Sequence, residues 1–437
     1  MNRKGIYIRT AMLFLFFAKQ AAAQQTLTLP QAVELGIKNS KNLRIANAKI
    51  EEATAFVREA TDSRLPDFKI SGSYLRLNNA KIDLKSSASG TPGAGGGAKI
   101  NQAMYGMATL SMPLFAGGRI KYGIESARYL EKATKLDADK NRDEVIFNIT
   151  KAYINLYKSY EAVHLVKENL QSSLARDTNF MNLEKNGLLA RNDLLKSQLQ
   201  SSNIELAVLD AENNYKLATV NMNLMLGLPE SDPVALDSSF IDTKQELKNF
   251  SDYEMIALQN RKDIQAIGFR KKAAASGIKS ANAEAYPTIG LTGGYIAAYV
   301  PHVVTIANAV NIGVGIQYNL ASLWKTNTKL KQATAREKQV VAADEMLNDD
   351  VKLEINQDYQ NYLLTRKKIE VYEKALTQAT ENYRISNNKY INSLVTLTDL
   401  LDADVATLQA KLNIAFAKAD AILAYNKLLQ TAGLLSN

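Results

Sequence analysis

Cysteine is absent from this 437-residue chain, and histidine occurs only at His164 and His302. Without cysteine the protein can form no disulfide bond and has no thiol for N-terminal lipidation. The two histidines are far apart in the sequence and have no neighbouring ligand pattern, so they do not predict a metal site. We therefore expect neither a metal nor a cofactor.

Long hydrophobic runs are also missing. The run AMLFLFFA at 11–18 is far shorter than the roughly 20 residues that a membrane-spanning helix needs. It follows Arg3 and Lys4 and precedes the small residues AAA, which is the pattern of a secretory signal. We expect residues 1–23 to be a signal peptide, removed before Gln24, and the exported protein to lack a spanning helix. A membrane anchor is the alternative interpretation.

The excess of positive charge is small once this segment is set aside. The formal net charge is +9, and the four basic residues of the segment reduce it to 9 − 4 = +5. Such a mild charge gives little support to nucleic-acid binding, so we expect no nucleic-acid partner. The 46% hydrophobic content indicates a folded chain.

Enzyme motifs are lacking as well. The glycine-rich string GTPGAGGG at 90–97 has neither the Lys-Ser/Thr pair nor the strand-to-helix context of a phosphate-binding loop. Carboxylates cluster only where helices are expected to begin, rather than as a pair in a cleft. We expect the protein not to be an enzyme.

What the chain does contain is an internal repeat. A shift of 206 positions aligns 110–228 with 316–434 without a gap, and a shift of 221 aligns the segments before them. The two shifts differ because of the flexible stretch SSASGTPGAGGG around 86–97, which only the first half contains. We predict a first structural repeat over 24–228, a linker over 229–250 and a second repeat over 251–437.

The sequence pattern predicts the same order of secondary-structure elements in each half. A first helix (30–63 or 251–284) precedes two strands, and these are followed by a very long helix (118–186 or 323–391) and a second long one (190–226 or 396–432). Apolar residues in the longest helices recur at spacings of three, four and seven, which is typical of coiled coils. At 1.5 Å per residue such a helix extends about 100 Å, too long for one compact domain.

The predicted strands alternate between apolar and polar residues. In 310–320 the even positions are apolar and the odd ones are small or polar, and 288–299, 103–114 and 67–77 show the same period of two. The segment 67–77 has the weakest pattern. One apolar face indicates either a sheet packed on soluble structure or the wall of a membrane barrel.

Four strands are too few to close a barrel, because the smallest barrels have about eight. An open edge in lipid leaves backbone groups unpaired, which is prohibitive. If the sheet lies in a membrane, several chains must therefore share it, and three chains supply 12 strands.

The order of these motifs resembles that of the TolC-type outer-membrane efflux proteins, the outer membrane factors. The resemblance covers essentially the whole exported chain. Two single stretches carry it: LTLPQAVELGIKNSKNLRIANAKIEEA at 27–53 and SMPLFAGGRIKYGIESARYLEKA at 111–133. Two further stretches carry it together with their counterparts in the other half: SRLPDFKISGSY with AEAYPTIGLTGGY, and KNGLLARNDLLKSQ with INSLVTLTDLLDAD.

The resemblance implies a mainly α fold with some β structure, assembled as a homotrimer. Each protomer contributes four strands to a shared 12-stranded transmembrane β-barrel in the outer membrane. Its long coiled-coil helices form an α-barrel that crosses the periplasm, and the linker 229–250 lies in an equatorial belt between the two.

The resemblance also implies roles for residues near the turns between the long helices. Asp399 and Asp402 match aspartates that line the channel entrance, where three copies would form an anionic ring. Asp193 and Tyr390 match residues that hold the helices closed. The family often has an arginine where this chain has Val395, so the closed state is either held more weakly here or held by Arg191. The alternative for these acids is that they cap or solvate helix starts.

The turns themselves resemble the grooves that receive the helical hairpin of a periplasmic adaptor. We expect Gly187, Leu188, Ser393 and Leu394 to make these contacts. The alternative is that they only shape a tight turn.

The predicted function is that of a passive exit duct of a tripartite efflux or type I secretion system. It would move small molecules or polypeptides to the exterior, with an adaptor (membrane fusion protein), an inner-membrane RND or ABC transporter, and outer-membrane lipid as partners. The predicted location is the outer membrane, reaching into the periplasm. The alternative is a coiled-coil scaffold of the cell envelope without a pore.

Overall fold

The computed structural model describes residues 26–82, 98–242, 246–301 and 304–435. The predicted signal peptide 1–23, the glycine-rich stretch 86–97, and His302 lie outside the described residues. Among the helices described, none is both long enough and apolar enough to cross a membrane.

The element order of the first half recurs in the second. The first half contains, in order, α1 (Leu29–Asn39), α2 (Lys41–Asp62), β1 (Asp67–Ile82), β2 (Ala98–Phe115), α3 (Arg119–Lys185) and α4 (Arg191–Leu226). The second contains α5 (Phe250–Asn260), α6 (Lys262–Ala283), β3 (Thr288–Val300), β4 (Val304–Gln317), α7 (Ser322–Ile391) and α8 (Leu397–Thr431), and a short 3₁₀ helix, Ser239–Asp242, lies between the halves. The predicted mainly helical fold with a small sheet is confirmed.

The first helix of each half is divided in two, where the sequence pattern predicted one helix. Ser40 has an extended backbone (φ −61°, ψ 120°), so the helical hydrogen bonds stop at Asn39. The Ser40 Oγ then accepts a hydrogen bond from the Leu43 N–H at 3.2 Å and caps α2. Arg261 is extended in the same way between α5 and α6. One extended residue does not disturb the helical spacing of the apolar residues around it. The sequence pattern therefore did not reveal the breaks at Ser40 and Arg261.

The four strands form one antiparallel sheet in the order β1-β2-β3-β4. Ile70 pairs with Ala108, Ala108 with Tyr295 and Tyr295 with Val310, so the apolar positions of all four strands lie on one face. That face is open: Ile70 and Ile312 are each 77% exposed. The strands β1 and β4 are the edges of the sheet.

The chain divides into two compact units. The first consists of the described residues in 26–47, 138–264 and 347–435. One of its clusters joins α1, α3 and α4 around Ile149, Tyr153 and Met222. The Tyr153 hydroxyl lies 2.7 Å from the Leu27 carbonyl oxygen and 2.9 Å from that of Asp237, which fixes both flanking segments to α3.

A second cluster in this unit repeats the first around Ile355 and Leu428, the positions that correspond to Ile149 and Met222. Beside it lies a charge network at the α5–α6 break. Arg261 binds both carboxylate oxygens of Asp263, at 3.1 and 2.9 Å, and Glu354 at 2.7 Å. Burial opposes the charge of Glu354, but hydrogen bonds from Lys427 and Arg261 lower its pKa on balance.

The second unit consists of the described residues in 48–137 and 265–346 and contains the sheet. In the same unit, α3 and α6 pack together. The Ser126 Oγ donates to the Ala273 carbonyl oxygen at 3.0 Å, and the Tyr129 and Phe269 rings stack with their centres 6.3 Å apart. Gly117 (φ 61°) lies so close to α6 that a Cβ there would be 2.6 Å from the Ala283 carbonyl oxygen.

Candidate functional site

The helical hairpin α3–α4 turns within five residues, 186–190. The Leu188 N–H donates to the Leu183 carbonyl oxygen at 2.8 Å, and the Gly187 N–H donates to that of Glu184 at 2.9 Å. This pair of bonds is the Schellman arrangement, which satisfies carbonyl groups left over at a helix C-terminus.

The hairpin α7–α8 uses the same turn. The Leu394 N–H donates to the Lys389 carbonyl oxygen at 2.8 Å, and the Ser393 N–H donates to that of Tyr390 at 2.9 Å. Each turn also has an asparagine whose side chain donates to the carbonyl oxygen four residues earlier, at 2.6 Å for Asn186 and 2.7 Å for Asn392. The internal repeat therefore extends to the hydrogen bonds of the two turns.

The four predicted docking residues lie at the apex of these turns. Gly187 has φ 73° and Ser393 has φ 56°, so each takes the left-handed conformation that the Schellman turn requires. Leu188 and Leu394 follow them and are 73% and 72% exposed. The turn-shaping alternative thus describes Gly187 and Ser393, whereas the two leucines present an apolar surface. Adaptor contact by these residues stays a prediction.

Directly behind the turns, an apolar cluster joins the two hairpins. Phe180 of α3, Leu194 of α4, and Leu397 and Leu400 of α8 are buried together. Tyr390 of α7 packs beside them with its ring 5.8 Å from that of Phe180. The cluster fixes where the first turns of α4 and α8, which carry the predicted gate residues, lie relative to each other.

Asp399 caps α8. One of its oxygens, Oδ2, accepts from the Thr396 N–H at 2.9 Å and from the Thr396 hydroxyl at 2.6 Å. The Asp399 N–H in turn lies 3.2 Å from the Thr396 Oγ1, which completes a capping box. These hydrogen bonds lower the pKa of Asp399, so its exposed carboxylate is charged at neutral pH. The capping alternative therefore holds for Asp399, and its role as a gate residue stays a prediction.

Asp402 and Asp193 occupy different surroundings. Asp402 is exposed one turn further along α8, while Asp193 is half-buried in the first turn of α4, with its Oδ1 3.9 Å from the Lys196 Nζ. Burial raises the pKa of Tyr390, and the negative charge of Asp193 adds to that rise. The charge of Asp193 therefore acts on Tyr390, and the role of these two residues in holding the helices closed stays a prediction. Arg191 lies 3.4 Å from Glu184 on its own hairpin.

Asp404, which the sequence groups with Asp399 and Asp402, has a different environment. It is buried, and its Oδ2 lies 2.8 Å from an Nη2 of Arg176 on α3, with the two side chains only 11% and 10% exposed. The Asn169 side chain donates to the other oxygen at 3.2 Å. Sequence reasoning missed this pair, although Asp404 is four residues after Leu400 and so on its buried face.

Two further ion pairs lie on the same α3–α8 seam. Lys158 is 2.8 Å from Asp420, and Glu168 is 3.4 Å from Lys411. Because these partners are partly exposed to solvent, each pair contributes little to stability. The signs alternate along the seam, so a shift in register would bring like charges together.

The α3–α4 hairpin has its own buried polar network. Asp177 of α3 accepts hydrogen bonds from the hydroxyls of Ser197 and Ser201 of α4, the latter at 2.5 Å. The Ser173 and Ser201 hydroxyls are 2.6 Å apart, and Arg176 donates to Ser173 at 3.2 Å. The network connects the α3–α4 contact to the Arg176–Asp404 pair. Within the described part of the chain, no group of three or more His, Cys, Asp or Glu could hold a metal ion.

Comparison with known proteins places this architecture in a family. The family model for outer membrane efflux proteins matches residues 32–228 and 255–434. The cation efflux system protein CusC of Escherichia coli O157:H7 is 25% identical over 269 residues, 60% of this chain and 54% of CusC. The chain thus spans about half the length of the curated relatives that it matches.

Solved structures show the same fold. The outer membrane protein VceC of Vibrio cholerae superposes with a TM-score of 0.76 at 19% identity, over 93% of this chain and 96% of VceC. The CmeC outer membrane channel of Campylobacter jejuni gives 0.75 at 18% identity, over 93% and 86%. With the family model covering most of both halves, the chain belongs to the outer membrane efflux protein family.

Proposed function

We propose that the protein is the passive outer-membrane exit duct of a tripartite efflux or type I secretion system, moving small molecules or polypeptides from the periplasm or a pump to the exterior. The observation that carries this proposal is the open apolar face shared by all four strands. In water such a face is unfavourable, at about 25 cal/mol for each Å² of apolar surface. Lipid covers it without cost.

Three copies would complete the barrel. The edges β1 and β4 each present a row of backbone groups that no other described strand pairs with. In lipid every such group costs several kcal/mol, so β4 of one copy must pair with β1 of the next. A homotrimer then closes a 12-stranded barrel around a shared lumen.

The long helices support the same assembly. Five leucines of α4 are about half exposed or more and share one stripe of the helix: Leu195, Leu199, Leu206, Leu217 and Leu224. A stripe at this spacing is suited to coiled-coil packing. We propose that it packs against a neighbouring copy, so that the helices form a periplasmic α-barrel. The two repeats, 24–228 and 251–437 with the linker 229–250, would be duplicated halves of this wall.

We place the gate at the helix tips. Three copies of Asp399 and Asp402 around the trimer axis would form an anionic ring that attracts cations and resists full closure unless it is neutralised. Asp193 and Tyr390 would stabilise the closed arrangement. Replacing both, by Asp193→Ala and Tyr390→Phe, should raise the resting conductance in planar bilayers, and an unaltered closed state would refute this assignment.

The turns would dock a periplasmic adaptor. Leu188 and Leu394 offer exposed apolar contacts, and Gly187 and Ser393 allow close approach of the backbone. The adaptor would connect the duct to an inner-membrane RND or ABC transporter that supplies the energy. The duct itself would have no enzymatic activity, so a measurable intrinsic ATPase would contradict the proposal.

Purification in detergent followed by reconstitution tests the central claim. We expect a heat-modifiable trimer on gel electrophoresis and discrete conductance steps in planar bilayers. A stable water-soluble monomer that never permeabilises a bilayer would overturn the proposal. The scaffold alternative predicts no conductance, and it gives the open apolar face of the sheet no role.

A further inference from the structure

The structure places two lysines together where the sheet meets the helices. Lys121 is the third residue of α3, shortly after β2, and Lys279 is in the last turns of α6, shortly before β3. Their Nζ atoms lie 5.8 and 5.7 Å from the centre of the Tyr122 ring. Two cations from different helices thus share one aromatic ring.

Neither lysine is neutralised within the described part of the chain, where neither forms an ion pair. The nearby acids are engaged elsewhere: Glu125 accepts a hydrogen bond from the Tyr129 hydroxyl at 3.3 Å, and Glu284 binds Lys329 at 2.6 Å. The segment 264–283 contains no acidic residue at all. Like charges that share a ring without a counter-ion repel each other, so an external anion would stabilise the pair.

The helix ends that carry the two lysines are held together by contacts of neighbouring residues. The Ser280 Oγ donates to the Arg119 carbonyl oxygen at 3.3 Å, which joins the end of α6 to the start of α3. Gly117 packs so closely that a Cβ there would be 2.7 Å from the Cβ of Tyr286. The backbones that carry Lys121 and Lys279 therefore form one junction, which reduces the entropy lost when both bind the same anion.

The surroundings of the junction indicate which anion this is. The open apolar face of the sheet ends here, and exposed aromatic residues border it: Phe115 (47%), Tyr286 (55%) and Trp324 (66%). Aromatic side chains concentrate where a barrel wall leaves the hydrocarbon, and the headgroup layer beyond is only several ångströms thick. The lysine pair lies within two helical turns of the strand ends, at the depth of that layer.

We infer that Lys121 and Lys279, with Tyr122 between them, form a binding site for the phosphate of an anionic phospholipid headgroup in the leaflet on the helix side of the sheet. The inference rests on the proposed membrane position of the sheet. Lysines at a membrane surface attract anionic lipid by about 1 kcal/mol each, which corresponds to about fivefold in affinity per lysine and about 25-fold for the pair.

The chain provides a matched control. Lys132 and Lys272 flank the Phe269 ring in the same way, at 5.5 and 5.2 Å. Along α3, however, Lys132 is eleven residues beyond Lys121, a rise of about 16 Å that takes it out of the headgroup layer. The two pairs share residue type and aromatic contact and differ in depth.

The test is native mass spectrometry of the full-length protein in detergent, titrated with phosphatidylglycerol or phosphatidylcholine. We expect the wild type and the K132Q/K272Q variant to retain phosphatidylglycerol preferentially. The K121Q/K279Q variant should lose about 25-fold in apparent affinity for phosphatidylglycerol, with little change for phosphatidylcholine. Millimolar inorganic phosphate should not displace the lipid.

Equal losses in both variants, or none in either, would overturn the inference, as would displacement by inorganic phosphate. Heat-modifiability and conductance of the same preparations separate this result from the proposed function. A wild type that conducts normally but shows no preference for phosphatidylglycerol refutes the lipid site alone, whereas a wild type that never enters a bilayer refutes both.

Discussion

Removal of the Asp404 carboxylate should loosen the contact between the two hairpins. In Asp404→Ala the guanidinium of Arg176, whose side chain is 10% exposed, keeps its charge but loses its partner at 2.8 Å. Its Nε is already buried without a hydrogen-bond acceptor among the described residues, and the Ser173 hydroxyl, 3.2 Å from the guanidinium, is neutral. Breaking a buried pair from one side costs about 3–5 kcal/mol.

The expected loss of stability in Asp404→Ala is large enough to be measured by hydrogen exchange. A loss of about 3 kcal/mol makes local opening about 100 times more frequent, because each 1.4 kcal/mol is a factor of ten. Hydrogen exchange of the detergent-solubilised protein should therefore accelerate by about two orders of magnitude in peptides over 170–180 and 400–410, provided that exchange follows the opening equilibrium. Peptides from the sheet should be unaffected.

Two controls make this prediction refutable. The double variant Arg176→Met with Asp404→Leu replaces both charges by apolar groups and should exchange almost as the wild type does, because the buried charge is gone. Lys411→Gln removes an exposed pair from the same seam and should change the stability by less than about 1 kcal/mol. If Asp404→Ala has no larger effect than Lys411→Gln, or if the double variant is as unstable as the single one, the reasoning is wrong.

Three further predictions follow from the tips and the charge network. Asp399→Ala with Asp402→Ala should weaken the block of the reconstituted channel by multivalent cations, because the anionic ring is removed, and unchanged block in planar bilayers would exclude the ring. Ser393→Gly should stabilise the protein by about 1 kcal/mol, because glycine takes a positive φ without the penalty of a Cβ, whereas Gly187→Ala should destabilise it by a similar amount; thermal unfolding compares the two. The folded-state pKa of Glu354 is below its usual value of 4.5, so its contribution to stability is complete above that pH and is lost as the pH falls through the lowered pKa. Glu354→Gln should therefore flatten the loss of stability on acidification, measured as thermal unfolding between about pH 6 and 3, and an unchanged slope would contradict this.

The positions of the two turns were predictable because their signals are local. Helical periodicity ends near Asn186 and near Asn392, and glycine at 187 marks a left-handed residue. Ser393 carries no such signal by itself, and only its alignment with Gly187 in the repeat identified it. The break at Ser40 was missed because one extended residue does not disturb an apolar pattern.

The sequence by itself determined the duplication, the lengths of the long helices and the apolar face of each strand, because these depend on helical and strand periodicity and on a repeat at 206 positions that can be read along the chain. Only the tertiary structure decided what each acid near the tip of α8 does. Asp399 caps its own helix, Asp402 faces solvent, and Asp404 is neutralised by Arg176, 228 positions earlier. The charge and exposure of a carboxylate depend on the partners that folding brings to it, and no spacing within one helix encodes a partner on another.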